Sequence, residues 1–335
     1  MKTAVVILNW NGKKLLEQFL PSVVLHSAAA DVIVADNAST DDSNDFIKKN
    51  YSSVSIVKNK ENFGYAGGYD EALKNIDAEY YILLNSDVEV TANWIEPAIA
   101  LMDRDKTIAV CQPKIKSYAD RARFEYAGAA GGYIDRYGYP YCRGRIFNTI
   151  EEDTGQYDDE KEIFWASGAC MFIRAKVFHE LGGFDASFFA HMEEIDLCWR
   201  IHRAGFKILY CPQSTIYHLG GGTLDKNNPR KTYLNFRNNL TMIYKNAPDE
   251  DLQAIWRIRT FLDRLAAIKF LVSGHPGAFV AVLKAHWYCF RHKDELRKKR
   301  IEIKSSVKQN YFAPNHINII TQYFLKGRKK FSEIL

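Results

Sequence analysis

The chain has 335 residues, and its 47% of hydrophobic and 25% of charged residues exclude wholesale disorder and low-complexity composition. Its net charge of +5 is uneven, because residues 230–335 hold 21 basic and 8 acidic residues while residues 1–229 are net acidic. A basic C-terminal region on an acidic body predicts an anionic partner, for which nucleic acid and an anionic membrane surface are both candidates.

The N-terminal part of the chain alternates between apolar runs and helical patterns. The runs at residues 4–8, 31–35, 54–57 and 80–84 predict strands, and the apolar spacing between them predicts helices, one of them over residues 65–76. Strands that alternate with helices are typical of a parallel sheet with βαβ crossovers.

The middle of the chain is less regular. Residues 126–144 are rich in Gly and Tyr and predict loops and short strands. The acidic residues 149–162 predict an exposed loop.

A helix and a strand are predicted after this region. The helix runs from about residue 194 to residue 204, where Gly205 ends it, and the strand covers residues 206–211. Asp196 and Arg200 stand four residues apart on this helix and predict a structural ion pair.

The C-terminal region is helical, basic and aromatic. Apolar residues recur at helical spacing from Ile255 to Leu271, and Pro276 separates this helix from another at residues 279–290. Two interpretations are open: a helical pair docked on the body, or an interfacial membrane surface. In the first, apolar side chains pack inward, among them Leu262, Leu265, Phe279 and Leu283. In the second, basic side chains lie near anionic head groups, namely Arg291, Lys293, Arg297, Lys298, Lys299 and Arg300.

Targeting signals and disulfides are not evident in the sequence. No stretch reaches the roughly 18 uncharged apolar residues of a membrane-spanning helix. The first apolar run meets Asn9 and Asn11 instead of a small-residue cleavage site, which favours a strand over a signal peptide. The six cysteines show neither a CxxC pair nor zinc-ligand spacing, so we expect reduced, mostly buried thiols and a cytoplasmic protein.

Polar residues follow each predicted strand, at the edge where parallel α/β sheets bind their ligands. They occupy residues 9–12, 36–41, 59–68 and 85–89. No glycine-rich phosphate loop follows the first strand, which argues against a Rossmann dinucleotide site and against a sugar nucleotidyltransferase.

Three acidic positions and one histidine are the strongest candidates for chemistry. Asp87 follows an apolar strand, where a carboxylate can hold a divalent cation on a diphosphate or can merely cap the next helix. Glu193 and Glu194 open a predicted helix, where carboxylates can also act only on the helix dipole. His218 fits either a satisfied core histidine or a metal ligand.

Taken together, these segments resemble the inverting glycosyltransferases of family 2, and within them the rhamnosyltransferase-like enzymes of bacterial surface polysaccharide assembly. The resemblance covers roughly residues 1–245 and follows the chain in order through VVILNWNGKKLLEQFLPS, VADNASTDDS, ENFGYAGGYDEAL, ILLNSDVEV and ASGACMFIRAKVFHELGGFDASFFAHMEEIDLCWRIHRAGFKILYCP. It implies an α/β fold of the GT-A type, a mostly parallel sheet flanked by helices, over residues 1–229. Residues 230–335 would then form a basic, amphipathic helical extension.

The resemblance also implies the composition of the site. Glu194 is expected to be the catalytic base, with Glu193 as the alternative, and Asp87 with His218 is expected to hold Mg²⁺ or Mn²⁺. The expected acceptor contacts are Trp165, for which a core position is an equal alternative, and Asp185. The expected donor-binding residues are Asn9, Asp36, Asn62, Gly64, Gly67, Asn85 and Ser86.

Two departures from the family pattern bear on function. Asn85 replaces the first aspartate of the Asp-x-Asp metal motif, and Glu194 replaces the aspartate that usually precedes the catalytic helix. They leave open a catalytically weak protein of the same fold that binds sugar nucleotides or glycans.

The activity implied by the resemblance is transfer of a sugar, such as rhamnose or another hexose, from a UDP- or dTDP-sugar. The acceptor would be a saccharide or a lipid-linked saccharide, and the enzyme would lie in the cytoplasm or peripherally on the inner face of the cytoplasmic membrane. Nucleic acid is not expected as a partner, because the body is acidic and no nucleic-acid-binding motif is present.

Overall fold

The structure is a computed structural model that describes residues 2–220, 228–305, 308 and 317–334. Its strands are β1 (Thr3–Asn9), β2 (Asp31–Asp36), β3 (Ser55–Lys58), β4 (Tyr80–Asn85), β5 (Val88–Val90), β6 (Ile108–Ser117), β7 (Gly132–Ile134), β8 (Pro140–Cys142), β9 (Arg145–Ile146), β10 (Thr149–Ile150), β11 (Lys161–Glu162), β12 (Cys170–Arg174) and β13 (Lys207–His218). Its helices are α1 (Lys13–His26), α2 (Ser43–Asn50), α3 (Gly64–Leu73), α4 (Glu96–Arg104), α5 (Ala175–Glu180), α6 (Glu193–Arg203), α7 (Pro229–Asn246), α8 (Asp249–Val272), α9 (Pro276–Arg291) and α10 (Lys293–Ser305).

A mixed sheet forms the centre of the molecule. Within the described residues it has nine strands, in the spatial order β11, β13, β6, β12, β4, β1, β2, β3, with β5 paired to β13. The strands β3, β2, β1 and β4 are parallel, whereas β12 runs antiparallel between β4 and β6. The four strands predicted near the N-terminus are confirmed as β1 to β4, with ends shifted by at most one residue, and the α/β class is confirmed with them.

The parallel strands β1, β2 and β4 are buried on both faces, whereas β3 at the edge of the sheet is partly exposed. Val5 and Ile7 of β1 pack with Leu16 and Leu20 of α1 on one face. Val6 lies in a second core with residues of α3 and α6 on the other. Because successive side chains of a strand point to opposite faces, a strand covered on both sides requires the continuous apolar run seen in the sequence.

The irregular middle of the chain forms a smaller antiparallel sheet. Among the described residues it has four strands, in the order β10, β9, β8, β7, and these confirm the predicted short strands. The prediction of a simple exposed loop at residues 149–162 was wrong in part. Tyr157 in this stretch is buried against Phe124 and Phe331, so aromatic packing draws the acidic segment into the core.

The predicted helix ending at Gly205 is confirmed as α6. Gly205 has a φ of +88°, a left-handed conformation that glycine adopts at little cost and that ends the helix. The next strand, β13, does not end near Cys211 as predicted but continues to His218. This extension carries His218 to the carboxyl edge of the sheet, beside the end of β6.

The C-terminal helices attach to the rest of the chain through α7, which contacts α6, α9 and α10. Arg203 of α6 donates a hydrogen bond to Asn246 O of α7 at 3.0 Å, and Arg300 of α10 donates to Tyr244 O of α7 at 2.6 Å. The predicted boundary at residue 229 coincides with the start of α7. The division of the chain into two domains at this point stays a prediction.

Two further expectations concern membranes and thiols. Among the described helices, none is both long enough and apolar enough to cross a membrane. All six cysteines are buried free thiols.

Candidate active site

Asp87, His218 and Glu125 form a buried charged cluster at the carboxyl edge of the sheet. Asp87 follows β4, and the antiparallel pairing of β5 with β13 sets His218 opposite Val88. His218 Nε2 lies 3.1 Å from Asp87 Oδ1, and His218 Nδ1 lies 3.4 Å from Glu125 Oε2. All three residues are buried, so the imidazole is held between two carboxylates.

The two carboxylates control the protonation of His218. Burial lowers the pKa of this imidazole, but the hydrogen bond to Asp87 and the nearby negative charges of Asp87 and Glu125 outweigh burial and raise its pKa to about 10. Burial raises the pKa of Asp87, but the bond to His218 more than offsets this effect, so the pKa of Asp87 is lowered. These contacts favour the protonated imidazole, so a metal ion bound at Nε2 would have to displace that proton.

The same residues fit a divalent cation. Two ligand atoms in adjacent positions of an octahedral ion, each about 2.1 Å from it, are about 3.0 Å apart. Asp87 Oδ1 and His218 Nε2 are 3.1 Å apart. A ligating histidine usually turns its second ring nitrogen to a carboxylate, a position that Glu125 occupies. Among the described residues no group of three or more His, Cys, Asp or Glu side chains could hold a metal ion, so diphosphate oxygens would have to complete the coordination.

Asn9 and Ser86 lie together where β1 and β4 end. Asn9 is buried, and its Nδ2 donates to Ser39 Oγ at 3.2 Å. Its Oδ1 has no hydrogen-bond partner within the described part of the chain. A Cβ on Gly12 would collide with this Oδ1 and would lie 3.9 Å from Ser86 Oγ. The edge therefore offers a free carbonyl acceptor in a confined space.

Asp36 lies beside Asn9, because the two residues are in register in the parallel pairing of β1 with β2. The Asp36 carboxylate is buried and accepts hydrogen bonds from Ser39 N–H at 3.3 Å and from Asn44 Nδ2 at 2.8 Å. A carboxylate has about four acceptor positions, so Asp36 keeps the capacity to accept a further donor.

The loop with Asn62 and Gly64 is held by a network of amides. Asn37 Nδ2 donates to Asn62 Oδ1 at 3.0 Å and to Gly64 O at 2.9 Å, and Asn59 Nδ2 donates to Asn37 Oδ1 at 3.0 Å. Gly64 has a φ of +75°, and a Cβ there would lie 2.6 Å from the ring of Phe189. Both the backbone conformation and the available space therefore require glycine.

Gly67 allows close packing of α3. A Cβ at Gly67 would lie 3.0 Å from Phe63 Cβ and 3.5 Å from Ala186 Cβ, which belongs to a short 3₁₀ turn before α6. The Tyr65 N–H donates to Phe189 O at 2.7 Å. The loop thus supports the segment that leads into α6, and its direct contact with a donor stays a prediction.

Glu193 and Glu194 lie in the first turn of α6. Each has an Oε2 atom that is buried and has no hydrogen-bond partner in the described residues. Burial raises the pKa of Glu194 to about 7, and burial together with the charge of Glu194 raises the pKa of Glu193 well above its usual range. Glu193 is only 4% exposed, whereas Glu194 is partly exposed. A carboxylate that ionises near neutral pH and has an open side suits a general base.

Tyr65 is connected to the cluster around His218 through the backbone of residues 168 and 169. Its hydroxyl donates to Gly168 O at 2.6 Å, and the carbonyl of the next residue, Ala169, accepts from Asn85 N–H at 3.0 Å. Asn85 Nδ2 lies 3.5 Å from His218 Nε2. Burial above all, and nearby charges that include the two glutamates, raise the pKa of Tyr65. A short path of contacts thus joins Tyr65 to the candidate metal ligands, whereas the two glutamates act on Tyr65 through their charge.

The backbone that leads into α6 is strained, and α7 holds it. Phe189, His191 and Met192 have φ values between +65° and +73°, a conformation that costs a non-glycine residue roughly 1 kcal/mol. Asn238 Nδ2 of α7 donates, at 2.7 to 3.0 Å, to three carbonyl oxygens of this segment, those of Phe188, Ala190 and His191. Asn238 is therefore placed to set the entry angle of α6 and with it the glutamates.

We expect Asn238→Ala to lower kcat by about 10- to 100-fold with a smaller change in donor KM, because misplacing a catalytic group by about 1 Å can cost that much. Steady-state kinetics with the nucleotide sugar measure both parameters. The matched control is Asn239→Ala, which removes a neighbouring buried amide that donates to Gly138 O at 2.8 Å. An equal loss of kcat in both variants would point to general destabilisation instead of positioning.

The side chains of the two predicted acceptor-binding residues form hydrogen bonds or ion pairs within the protein. Trp165 is buried, and its indole N–H donates to Tyr133 O at 2.9 Å. Asp185 accepts from Lys245 at 2.6 Å and from Lys299 at 2.9 Å. Burial raises the pKa of Asp185, but these two ammonium groups outweigh it and hold the pKa well below its usual range. An acceptor contact by either residue stays a prediction.

The predicted pair Asp196–Arg200 is confirmed as structural. Arg200 Nε donates to Asp196 Oδ2 at 3.0 Å, and both side chains are buried. Lys245 of α7 also reaches Asp196 Oδ2 at 3.0 Å. This ion pair therefore anchors α6 to α7 instead of facing the site.

Three residues of the site were missed by sequence reasoning: Glu125, Tyr65 and Asn238. Tyr65 falls inside the ENFGYAGGYDEAL segment, where its position next to Gly64 was a usable signal. Glu125 and Asn238 stand in stretches without a recognisable motif, and only their contacts with His218 and with the segment before α6 reveal them.

The fold and this edge of polar groups define a GT-A-type glycosyltransferase, and the chain belongs to glycosyltransferase family 2. The family model described as "Glycosyl transferase family 2" matches residues 4–182. This membership confirms the resemblance inferred from the five sequence segments.

Particular relatives make the likeness more specific. The N-acetylglucosaminyl-diphospho-decaprenol L-rhamnosyltransferase of Mycobacterium tuberculosis is 26% identical over 230 residues, which cover 64% of this chain and 75% of that protein. The structure of S. aureus TarS 1-349 in complex with UDP-GlcNAc is similar with a TM-score of 0.55 at 14% identity, covering 94% of this chain and 95% of that one. GalNAc-T7 with UDP, GalNAc and Mn²⁺ is similar with a TM-score of 0.56 at 17% identity, covering 82% of this chain and 58% of that one. At these identities the two structures show the fold.

Proposed function

We propose that this glycosyltransferase moves a sugar with inversion from a nucleoside-diphosphate sugar to a saccharide or lipid-linked saccharide, with Glu194 as the general base. The observation that carries the proposal is the state of the Glu194 carboxylate. It combines a buried oxygen without a hydrogen-bond partner among the described residues, a partly exposed side chain and a pKa raised by burial to about 7.

The reaction requires one displacement. Glu194 takes the proton of an acceptor hydroxyl, and the hydroxyl oxygen forms a bond to the anomeric carbon of the donor sugar. The bond from that carbon to the diphosphate oxygen breaks, and its electron pair leaves with the nucleotide. Glu193 is the weaker candidate, because it is almost fully buried and its pKa is raised further.

The divalent cation would be held by Asp87 and His218. When bound, it neutralises charge that develops on the departing diphosphate. Glu125 orients His218 through the second ring nitrogen, and Asn85 lies beside the same imidazole. GalNAc-T7, a protein of similar fold, was crystallised with Mn²⁺, which supports a cation of this kind here.

The donor is proposed to be a pyrimidine nucleotide sugar. Asp36 can accept the N3–H that uracil and thymine share, and Asn9 Oδ1 beside it is an acceptor without a partner in the described residues. TarS binds UDP-GlcNAc and GalNAc-T7 binds UDP in their structures. The shared N3–H leaves UDP- and dTDP-sugars as equal candidates.

The acceptor is proposed to be a saccharide carried on a lipid diphosphate. The Mycobacterium tuberculosis relative is named for such an acceptor, N-acetylglucosaminyl-diphospho-decaprenol. An enzyme acting on this acceptor would work at the inner face of the cytoplasmic membrane, and peripheral attachment is part of the proposal.

The pH dependence of the reaction follows from the base. Because Glu194 must be ionised to accept a proton and its pKa is raised to about 7, kcat/KM should fall as the pH drops through about 7 and level off above it. A pH profile of initial rates measures this limb. A profile that is flat between pH values well below and well above 7 would contradict the assignment.

The test of the function is a donor screen with a chelation control. Thermal unfolding with UDP- and dTDP-sugars, each with Mn²⁺ or Mg²⁺, should identify a donor that stabilises the protein. Release of nucleotide from that donor should then stop on chelation and return with Mn²⁺. Stabilisation by a donor without any turnover, with acceptor extracts present, would favour the catalytically weak binding protein suggested by Asn85 and Glu194.

A further inference from the structure

The helical hairpin formed by α8 and α9 has an apolar face that no described residue covers. The two helices pack together and are joined by the short turn at residues 273–275. The exposed apolar residues recur at helical spacing on each helix, and each is 44 to 83% exposed: Phe261, Leu265, Ile268 and Val272 on α8, and Val280, Leu283, Trp287 and Phe290 on α9. Exposed apolar stripes on two helices that pack together mark an interaction site. We call it the hairpin face.

The opposite sides of both helices pack inward. Ile255 and Ala267 of α8 and Ala281 and Ala285 of α9 are buried. The hairpin therefore has two apolar sides. One side packs in the core of the protein, and the other, the hairpin face, is exposed.

The exposed charges within residues 252–292 are all basic, whereas acidic residues stand in the first turns of α8 and α10. Between residues 252 and 292 the single acidic residue, Asp263, is buried and bound by Arg259 and His286. The exposed charged side chains of this range are Arg257, Arg264, Lys269, Lys284 and Arg291. Such a surface suits an anionic partner. Pairing of two hairpin faces from two copies would set these basic groups against one another, which is unfavourable.

A C-terminal segment extends the same surface. Phe324 is 55% and Leu325 is 80% exposed. The Lys269 ammonium lies 5.5 Å from the centre of the Phe324 ring, so this segment lies beside α8. The apolar area thus continues beyond the two helices and again carries a basic group at its border.

The tip of the hairpin lies near the candidate active site. A Cβ on Gly277, at the start of α9, would lie 2.8 Å from Pro229 Cγ at the start of α7. The next residue of α7, Arg230, places its guanidinium 5.1 Å from the centre of the Phe189 ring, and Phe189 packs against Gly64. Two contacts, at Pro229 and at Phe189, therefore join the hairpin to the segment that precedes the candidate glutamates.

We propose that the hairpin face docks on an anionic lipid bilayer, with its apolar side chains at the level of the head groups and acyl chains and its basic side chains on lipid phosphates. None of the described helices could span a membrane, which makes this an interfacial contact. Docking is independent of the reaction. Only its use, the delivery of a lipid-linked acceptor to the nearby site, rests on the proposed function.

The structure changes particular residues in each sequence interpretation of this region. Leu265 and Leu283 do not pack inward but are exposed. Lys299 and Arg300 of α10 are not available for head groups, because Lys299 binds Asp185 and Arg300 binds carbonyl oxygens of α7. The other four predicted residues, Arg291, Lys293, Arg297 and Lys298, are exposed, and their contact with head groups stays a prediction.

Flotation of the full chain with vesicles tests the proposal. The protein should float with vesicles that contain phosphatidylglycerol, less with pure phosphatidylcholine, and less with both lipids as salt is added. The double variant Leu265→Glu, Leu283→Glu should bind the anionic vesicles at least about tenfold more weakly. Leu25→Glu, at a 73% exposed position of α1, is the matched control and should bind as the wild type does.

Two charge-reversal variants show whether vesicle binding depends on the basic residues of the hairpin or only on the net charge of the protein. Arg264→Glu with Lys284→Glu should weaken binding by more than about tenfold, whereas Lys48→Glu with Lys49→Glu, the same charge change on exposed positions of α2, should have little effect. Equal losses in the two pairs would overturn the proposal, and so would a wild type that fails to float at low salt.

Light scattering tests the alternative occupant, a second copy of the chain. If the wild type is a dimer and the Leu265→Glu, Leu283→Glu variant is a monomer, the hairpin face is a dimer interface instead. Nucleotide release in solution should be the same in all these variants, so a failure of docking is distinguishable from a failure of the proposed reaction.

Discussion

Glu194→Gln is expected to lower kcat by about 100-fold or more while the affinity for the nucleotide sugar is kept, because the loss of a general base costs about this much. Glutamine has nearly the same size and shape as glutamate and keeps the packing at the start of α6. It cannot accept the acceptor proton. Single-turnover rates at saturating donor measure the chemical step, and thermal shifts with the donor measure binding.

The matched control for this variant is Glu193→Gln, one residue earlier in the same helical turn. Glu193 is buried, and like Glu194 it has an unpaired Oε2 within the described residues. We expect a smaller loss of kcat there. An inactive Glu193→Gln together with an active Glu194→Gln would exchange the two roles.

Asp87→Ala is expected to reduce transfer by more than about 100-fold and to leave the fold intact, because a group that stabilises charge on the leaving diphosphate is worth at least this much. Asp87 lies between β4 and β5, with its carboxylate 3.1 Å from His218 Nε2. The surrounding strands are held by backbone pairing that the substitution does not touch. Nucleotide release with saturating donor and Mn²⁺ measures the effect.

A second measurement shows whether Asp87→Ala loses activity because it no longer binds the divalent cation. In the wild type, Mn²⁺ added with UDP should raise the unfolding temperature beyond the effect of UDP alone. In Asp87→Ala this increment should vanish. The control is Glu89→Gln, which removes a nearby carboxylate paired with Arg121 and should leave turnover within about threefold, as expected for a surface ion pair. Normal turnover of Asp87→Ala with saturating donor would remove Asp87 from the metal site.

The order of the early elements was predictable because it rests on local patterns. A strand covered on both faces must be continuously apolar, so β1, β2 and β4 were recognisable from composition and spacing alone. The polar residues after them had to meet, since parallel strands end at one edge of a sheet. The pair Asp196–Arg200 was predictable for a similar reason, because residues four apart on a helix face each other.

The environment of each site residue was not predictable in the same way. The sequence suggested Asp87 and His218 separately, but their contact depends on β13 continuing past its predicted end to pair with β5. A β-bulge or register shift between Cys211 and Thr215 lies within that extension. The path that β13 takes after this irregularity depends on its pairing with β6, so the residues of the irregularity alone do not reveal it.

The sequence by itself determined the family, the parallel core and the positions along the chain of the residues that carry the chemistry, because these depend on short-range periodicity and on ordered motifs. Only the tertiary structure decided that Glu125 faces His218, that Asn238 holds the strained backbone before Glu193, and that the apolar faces of α8 and α9 point outward. The physical reason is the same in each case. A helical pattern shows that one side is apolar but not what covers it, and a polar group acquires its pKa and its partner from residues far away in the chain that folding brings within hydrogen-bond distance.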